Sequence, residues 1–115
     1  MSTIEELKHL VCATIDLHKL QLTDIAKTIL KNPETGFTEQ KTAHLVTQVF
    51  NSLGIPYEGG LALTGVKGRL QGQAGEGPSV AIIGELDSLV VPTHPYADPI
   101  TGAAHACGHN AQIAG

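Results

Sequence analysis

Ile4, Leu7, Val11, Leu22, Ile25 and Ile29 recur at helical spacing, so the chain opens with an amphipathic helical region. Ser2 and Thr3 precede Glu5 and Glu6 at the spacing of a capping box, which predicts where the helix starts. The apolar stripe lapses over Asp16–Gln21, and a break is expected there. Asn32-Pro33 stops the pattern, because a residue before proline is pushed out of the helical region. A second stripe, Leu45, Val46, Val49, Phe50 and Leu53, follows Thr38, which is placed to cap it. Gly54-Ile55-Pro56 closes that helix, with glycine free to turn left-handed and proline unable to continue.

The period then changes from helical to two. Val66, Gly68 and Leu70 alternate with Lys67, Arg69 and Gln71, as in a half-buried strand. Gln73–Pro78 is a glycine-rich turn, but it lacks the Gly-Lys-Ser/Thr ending of a phosphate loop. Ser79–Gly84 is a continuous apolar run and predicts a strand buried on both faces, as in a parallel sheet. The connection from Val90 to Ala104 holds Pro92, Pro95, Pro99 and Gly102 and reads as an irregular loop over the rim of a site. Asn110–Gly115 reads as the first turn of a helix. The order of elements is that of an α/β fold.

Composition narrows the classes. A chain of 115 residues makes one small domain, and 42% hydrophobic residues exclude a disordered one. A net charge of −4 argues against a nucleic-acid partner. No apolar run approaches the length of a membrane span, and Met1–Glu6 lacks the basic-then-apolar form of a signal peptide, so a cytoplasmic location is expected. Cys12 and Cys107 do not make a disulfide framework, and Cys12 reads as a buried helix residue. His9, His18 and His44 read as packed or solvated helix residues.

The chemistry gathers near the end of the chain. In His105-Ala106-Cys107-Gly108-His109-Asn110, three metal-ligand side chains alternate, so an extended backbone turns them to one side. Gly108 permits a tight bend between Cys107 and His109. Glu85 and Asp87 follow the apolar run at the same alternation, where open α/β sheets gather their ligands. Together these make a two-part metal site. The plainer alternatives are a half-buried free cysteine between loop histidines and a solvated acidic strand end. His94 lies in the long connection, where it serves either a substrate or the surface.

Asn32-Pro33-Glu34-Thr35-Gly36-Phe37-Thr38-Glu39-Gln40-Lys41-Thr42-Ala43, Gly84-Glu85-Leu86-Asp87-Ser88-Leu89 and the His105–Asn110 motif resemble, in order and spacing, the N-terminal part of the metal-dependent aminoacylase, carboxypeptidase and amidohydrolase family (peptidase family M-twenty). The resemblance extends from about Asn32 onward and looks most like the aminobenzoyl-glutamate hydrolase subgroup. It implies that Cys107 and His109 are metal ligands and that Asp87 is an acid beside the metal, fixing a ligand imidazole. Glu85 stands where other members carry His or Asp, and with His105 is a possible additional ligand. Asn110 and Gln112 stand where auxin-conjugate-type members have Asp and His. The family's general-base Glu, the ligand Glu beside it and the later His ligands all fall beyond Gly115.

The resemblance therefore implies the incomplete N-terminal portion, residues 1–115, of an α/β/α sandwich catalytic domain. The expected cofactor is a divalent ion, zinc or manganese. The expected substrate is a small amide, an N-acyl or N-aroyl amino acid or a dipeptide-like molecule. Alone, the chain is expected to be inactive and to self-associate or form a homo-oligomer through uncovered apolar surface and a sheet edge. Two other classes remain. One is a non-catalytic remnant or interaction module. The other is a thiol hydrolase with Cys107 as nucleophile and His105 or His109 as base.

Overall fold

The capping box forms as its spacing predicts. In the computed structural model, which describes residues Met1–Gly115, Thr3 N–H donates to Glu6 Oε2 at 2.7 Å and Glu6 N–H donates to Thr3 Oγ1 at 3.2 Å. Helix α1 spans Ile4–Leu17 and α2 spans Lys19–Leu30, with His18 at the break between them. No residue of α1 is buried, and Cys12 is exposed. The expectation of a buried Cys12 is therefore corrected: α1 lies chiefly against α2, and Cys12 is left on its open side.

Helix α3 spans Gln40–Ser52, and its start is built differently from the sequence reading. Thr38 does not cap it. Its hydroxyl donates backward to Thr35 O at 2.7 Å, and Glu39 occupies the cap position without a side-chain bond. The free N–H groups of the first turn are met by Glu34, which accepts from Lys41 N at 2.9 Å and from Thr42 N at 2.8 Å. A carboxylate at a helix N-terminus satisfies orphan donors and favours the dipole. The other end follows the glycine signal. Gly54 has φ +67°, Gly54 N–H donates to Asn51 O and Ile55 N–H donates to Phe50 O, the two bonds of a Schellman closure.

Strand β1 (Tyr57–Leu61) pairs antiparallel with β2 (Gly65–Gly68). The alternation at Val66–Gly68 marked β2. The pattern gave no sign of β1, because Glu58-Gly59-Gly60 has no apolar alternation. The turn between them puts Ala62 and Leu63 at positive φ without glycine or asparagine. The hairpin lies on α3. Tyr57 stacks obliquely on Phe50 with ring centroids 6.2 Å apart, and Thr64 donates to the buried carboxylate of Glu39 at 2.7 Å. A Cβ on Gly68 would lie 2.8 Å from the Phe50 ring, so this strand approaches α3 only as glycine.

The expected parallel strand at Ser79–Gly84 does not form. Val80, Ile82 and Ile83 are 88%, 99% and 81% exposed, and residues from Leu70 to Ser88 carry no regular structure. A doubly buried strand needs hydrogen-bonding neighbours and cover on both faces, and no other strand lies beside this run. What forms instead is a bridge in parallel sense between Thr35 and Ser88, and a short ladder of β3 (Leu89–Val90) with β4 (Ala103–Ala104). The long connection is thus closed at its base by two strands rather than irregular throughout. Asp98 Oδ1 orders its far end by accepting from Ile100 N, Thr101 N and Thr101 Oγ1. The chain ends in α4 (His109–Ala114), set against α2.

The result is a mixed α/β arrangement of four helices and two small two-stranded sheets, 54 Å in its longest dimension. Only Ile29, Ala103 and Ala104 form a fully buried apolar core, while Glu39, Thr42, Thr64, Ser88 and His105 are buried polar groups. No helix is long and apolar enough to cross a membrane.

Candidate metal centre

Gly84 brings the acidic segment against α4. A Cβ there would stand 2.6 Å from Ile113 Cδ1, so no other residue passes this close. Gln112 clasps the next residue: Glu85 N–H donates to Gln112 Oε1 at 2.8 Å, and Gln112 Nε2 donates to Glu85 Oε2 at 3.3 Å. Three residues on, Ser88 donates through both N–H and Oγ to Glu34 O, each at 2.8 Å. The Glu85–Ser88 segment is therefore pinned at both ends without a sheet.

His109 faces this segment as the first residue of α4, after Gly108 turns the chain with φ +98°. Its Nδ1 lies 2.9 Å from Asp87 O and 3.0 Å from Asp87 Oδ1. Its Nε2 lies 3.1 Å from Glu85 Oε2. Two acceptors at Nδ1 call for a proton there. The Nε2 lone pair of the neutral ring then points at a carboxylate, which is repulsive unless a proton or another cation lies between them. The hydrogen bond to the Asp87 carbonyl raises the His109 pKa first of all, burial opposes this, and the charges of Glu85 and Asp87 add to the rise.

His105 lies behind this group and is 6% exposed, with neither ring nitrogen hydrogen-bonded. Burial lowers its pKa, the neighbouring His109 lowers it further, and Asp87 and Glu34 act against both. Cys107 is exposed and free. His94 is half-buried in the long connection, where its Nδ1 accepts from Tyr96 N–H at 3.1 Å, apart from the acidic segment. Asn110 anchors α4 to α2 by donating to Ala26 O at 3.2 Å.

The structure thus brings Glu85, Asp87 and His109 into one hydrogen-bonded group, with His105 beneath it. It leaves Cys107 outside that group, and no set of three or more His, Cys, Asp or Glu side chains converges tightly enough to enclose an ion. The donor chemistry nevertheless suits a divalent cation: an imidazole with Nδ1 already held by an acid, a carboxylate at its Nε2, and a free thiol two residues earlier. Gln112 and Glu34, which hold this geometry, were not singled out from sequence as part of the site. Their partners lie 27 and 54 residues away, and no local pattern reports such contacts.

Known proteins resemble this chain over most of its length. A thermostable carboxypeptidase of Saccharolobus solfataricus is 32% identical over 120 residues, covering 99% of this chain and 29% of that protein. An N-acyl-L-amino acid amidohydrolase of Geobacillus stearothermophilus is 34% identical over 115 residues, 97% of this chain and 30% of the relative. These relatives support the aminoacylase, carboxypeptidase and amidohydrolase family. An IAA-amino acid hydrolase of Arabidopsis thaliana extends the support, being 34% identical over 90 residues, 76% of this chain and 20% of that hydrolase. The chain spans about a quarter of the length of the curated relatives it matches. No family model matches the chain. No solved structure matches it.

Proposed function

We propose that residues 1–115 are the N-terminal portion of an α/β/α sandwich catalytic domain in a metal-dependent amidohydrolase. The observation that carries the reading is the clamp on His109. Asp87 holds Nδ1 through two oxygens, which leaves the Nε2 lone pair facing the Glu85 carboxylate, an arrangement that a cation between them would relieve. Cys107 and His109 would hold the ion, zinc or manganese, with Glu85 and His105 as further donors. Bound there, a divalent ion supplies Lewis-acid and water-activating chemistry for amide hydrolysis. Asp87 orients the imidazole and strengthens it as a donor. His105, buried and neutral, fills the floor of the site.

The substrate in this reading is a small N-acyl or N-aroyl amino acid or a dipeptide-like amide, in line with relatives named for N-acyl-L-amino acids, IAA-amino acids and carboxypeptidase action. Aminobenzoyl-glutamate is the aroyl member to assay first. The chain supplies part of the ligand shell and no general base, so alone it binds metal weakly and does not turn over. A thiol mechanism finds no support in the geometry. His109 is engaged by Asp87 and Glu85, and the His105 nitrogens have no partner, so neither imidazole is bonded to Cys107.

Calorimetric titration of the chain with Zn2+ and Mn2+, beside hydrolysis assays on N-acyl amino acids and aminobenzoyl-glutamate, tests the proposal. Weak binding that disappears in Cys107→Ser and His109→Ala, with no turnover, is the expected result. Tight stoichiometric binding with metal-dependent hydrolysis by the 115-residue chain overturns its partial nature. Binding unchanged by both substitutions overturns the ligand assignment.

A further inference from the structure

The peptide unit between Asp87 and Ser88 is hydrogen-bonded at both of its edges. Its carbonyl oxygen lies 2.9 Å from His109 Nδ1, and its N–H, that of Ser88, donates to Glu34 O at 2.8 Å. The unit is trans, so the two groups point in opposite directions and one contact aims the other. Ser88 Oγ donates to the same Glu34 carbonyl at 2.8 Å, and Ser88 is 6% exposed. Glu34 is itself fixed. Its carboxylate accepts from Lys41 N, Thr42 N and Thr42 Oγ1 at the start of α3, and Pro33 before it is buried. Three segments distant in sequence thus meet in one line of hydrogen bonds, from the start of α3 through Glu34 and the 87–88 peptide to the His109 imidazole.

We propose that Ser88 is a positioning residue, which with the Glu34 carbonyl aims the Asp87 carbonyl at His109 Nδ1. This main-chain acceptor, more than the Asp87 carboxylate, keeps the neutral ring in the tautomer that presents an unprotonated Nε2 to a cation. The inference rests on the reading of His109 as a metal ligand. A neutral imidazole carries its proton on either nitrogen, and the hydrogen bond made at one nitrogen decides which. His109 has two acceptors at Nδ1, and they differ in freedom. The Asp87 carboxylate, 3.0 Å away, belongs to a side chain that is 39% exposed, so it turns about its own bonds and competes with water. The carbonyl has no rotor of its own, and its peptide is held from the far edge. Hydrogen bonds in series also polarise one another, so the Ser88–Glu34 contact makes the Asp87 carbonyl oxygen a better acceptor. Ser88 therefore acts on His109 without touching it.

Nitrogen NMR of the metal-free 115-residue chain tests it, at alkaline pH where the ring is neutral. The shifts of Nδ1 and Nε2 read the ratio of the two His109 tautomers, and the proton is expected mainly on Nδ1. Replacing the Asp87–Ser88 amide by an ester in a synthetic chain removes the Ser88 N–H and weakens the carbonyl as an acceptor. The ratio should then move toward the Nε2–H form by roughly three- to tenfold, the population change that one lost hydrogen bond gives. Ser88→Ala, which removes the hydroxyl alone, should move it the same way by about twofold. Asp87→Ala keeps the main-chain carbonyl and should leave Nδ1–H dominant. Thr101→Ala loosens the chain away from this line and should leave the ratio unchanged, which separates aim from general loosening. Circular dichroism checks that the helices persist in each chain. A ratio unmoved by either change at residue 88, or one that inverts in Asp87→Ala, overturns the inference and leaves the ligand reading intact. Zn2+ binding unchanged in His109→Ala overturns the ligand reading itself.

Discussion

Gly84 carries no side chain because Ile113 occupies the space where one would stand, 2.6 Å from an ideal Cβ. Gly84→Ala should therefore lower stability by about 1–3 kcal/mol, the usual cost of overpacking a close contact. It should also loosen the Glu85–Gln112 clasp. Urea denaturation measures the first effect, and Ile113→Ala in the same chain should recover part of it. If Gly84→Ala is neutral, Gly84 does not control the approach of the acidic segment to α4. Asp98 makes a second residue-scale point. The backbone N–H groups of Thr101 and Ile100, in that order, draw its carboxyl below the ordinary value of 3.8. Because the folded value is the lower one, the stabilisation of this turn is present above the unfolded value and lost as pH falls through the folded one. The NMR titration midpoint of Asp98 should lie below 3.8 and return toward it in Thr101→Ala, with amide exchange at Thr101 rising over the same acid range. A midpoint at or above 3.8 would contradict the hydrogen-bonded turn.

At the scale of elements, helix ends decide what the stripes leave open. Both signals at α1 and the glycine at the end of α3 acted locally, over three to five residues, and the sequence reading placed them correctly. The start of α3 was misplaced because its cap comes from outside the helix. Glu34 reaches Lys41 and Thr42 across a turn, whereas Thr38 had the right type and spacing but found a nearer acceptor in Thr35. Glu34→Ala removes three acceptor contacts at a helix N-terminus and should cost about 1–3 kcal/mol. Thr38→Ala should cost less. Thermal melts of the two variants compare these costs directly, and a larger loss from Thr38→Ala would restore the threonine cap. The β1–β2 turn was missed for a related reason. Ala62 and Leu63 occupy left-handed backbone that residue type does not announce, and the hairpin is held by packing on α3 and by the Thr64–Glu39 bond.

At the scale of the whole molecule, the buried core is thin and the apolar surface broad. Val80, Ile82 and Ile83 stand almost fully exposed in a stretch of high β-propensity without a strand partner. Such a segment binds hydrophobic dyes and promotes association. Val80→Lys, Ile82→Lys should lower binding of an environment-sensitive naphthalene-sulfonate dye severalfold and raise solubility, while helicity by circular dichroism stays constant, because neither side chain packs on α1 to α4. Loss of helicity in that variant would show that the run supports the helices.

The sequence by itself determined whatever rests on neighbours along the chain: the capping box, the break near His18, the stop at Asn32-Pro33, the Gly54 closure and the alternation of β2; it also named Glu85, Asp87, His105, Cys107 and His109 as candidates. These are short-range effects of backbone sterics, hydrogen bonding and side-chain periodicity. Only the tertiary structure decided which of those residues meet. The approach of Asp87 and Glu85 to His109 depends on Gly84 against Ile113, on Gln112 and on Glu34, contacts between distant parts of the chain. It also decided that Ser79–Gly84 is no strand. An apolar run marks a capacity for burial, and burial requires partners that lie beside it in space, which the order of residues along one segment does not encode.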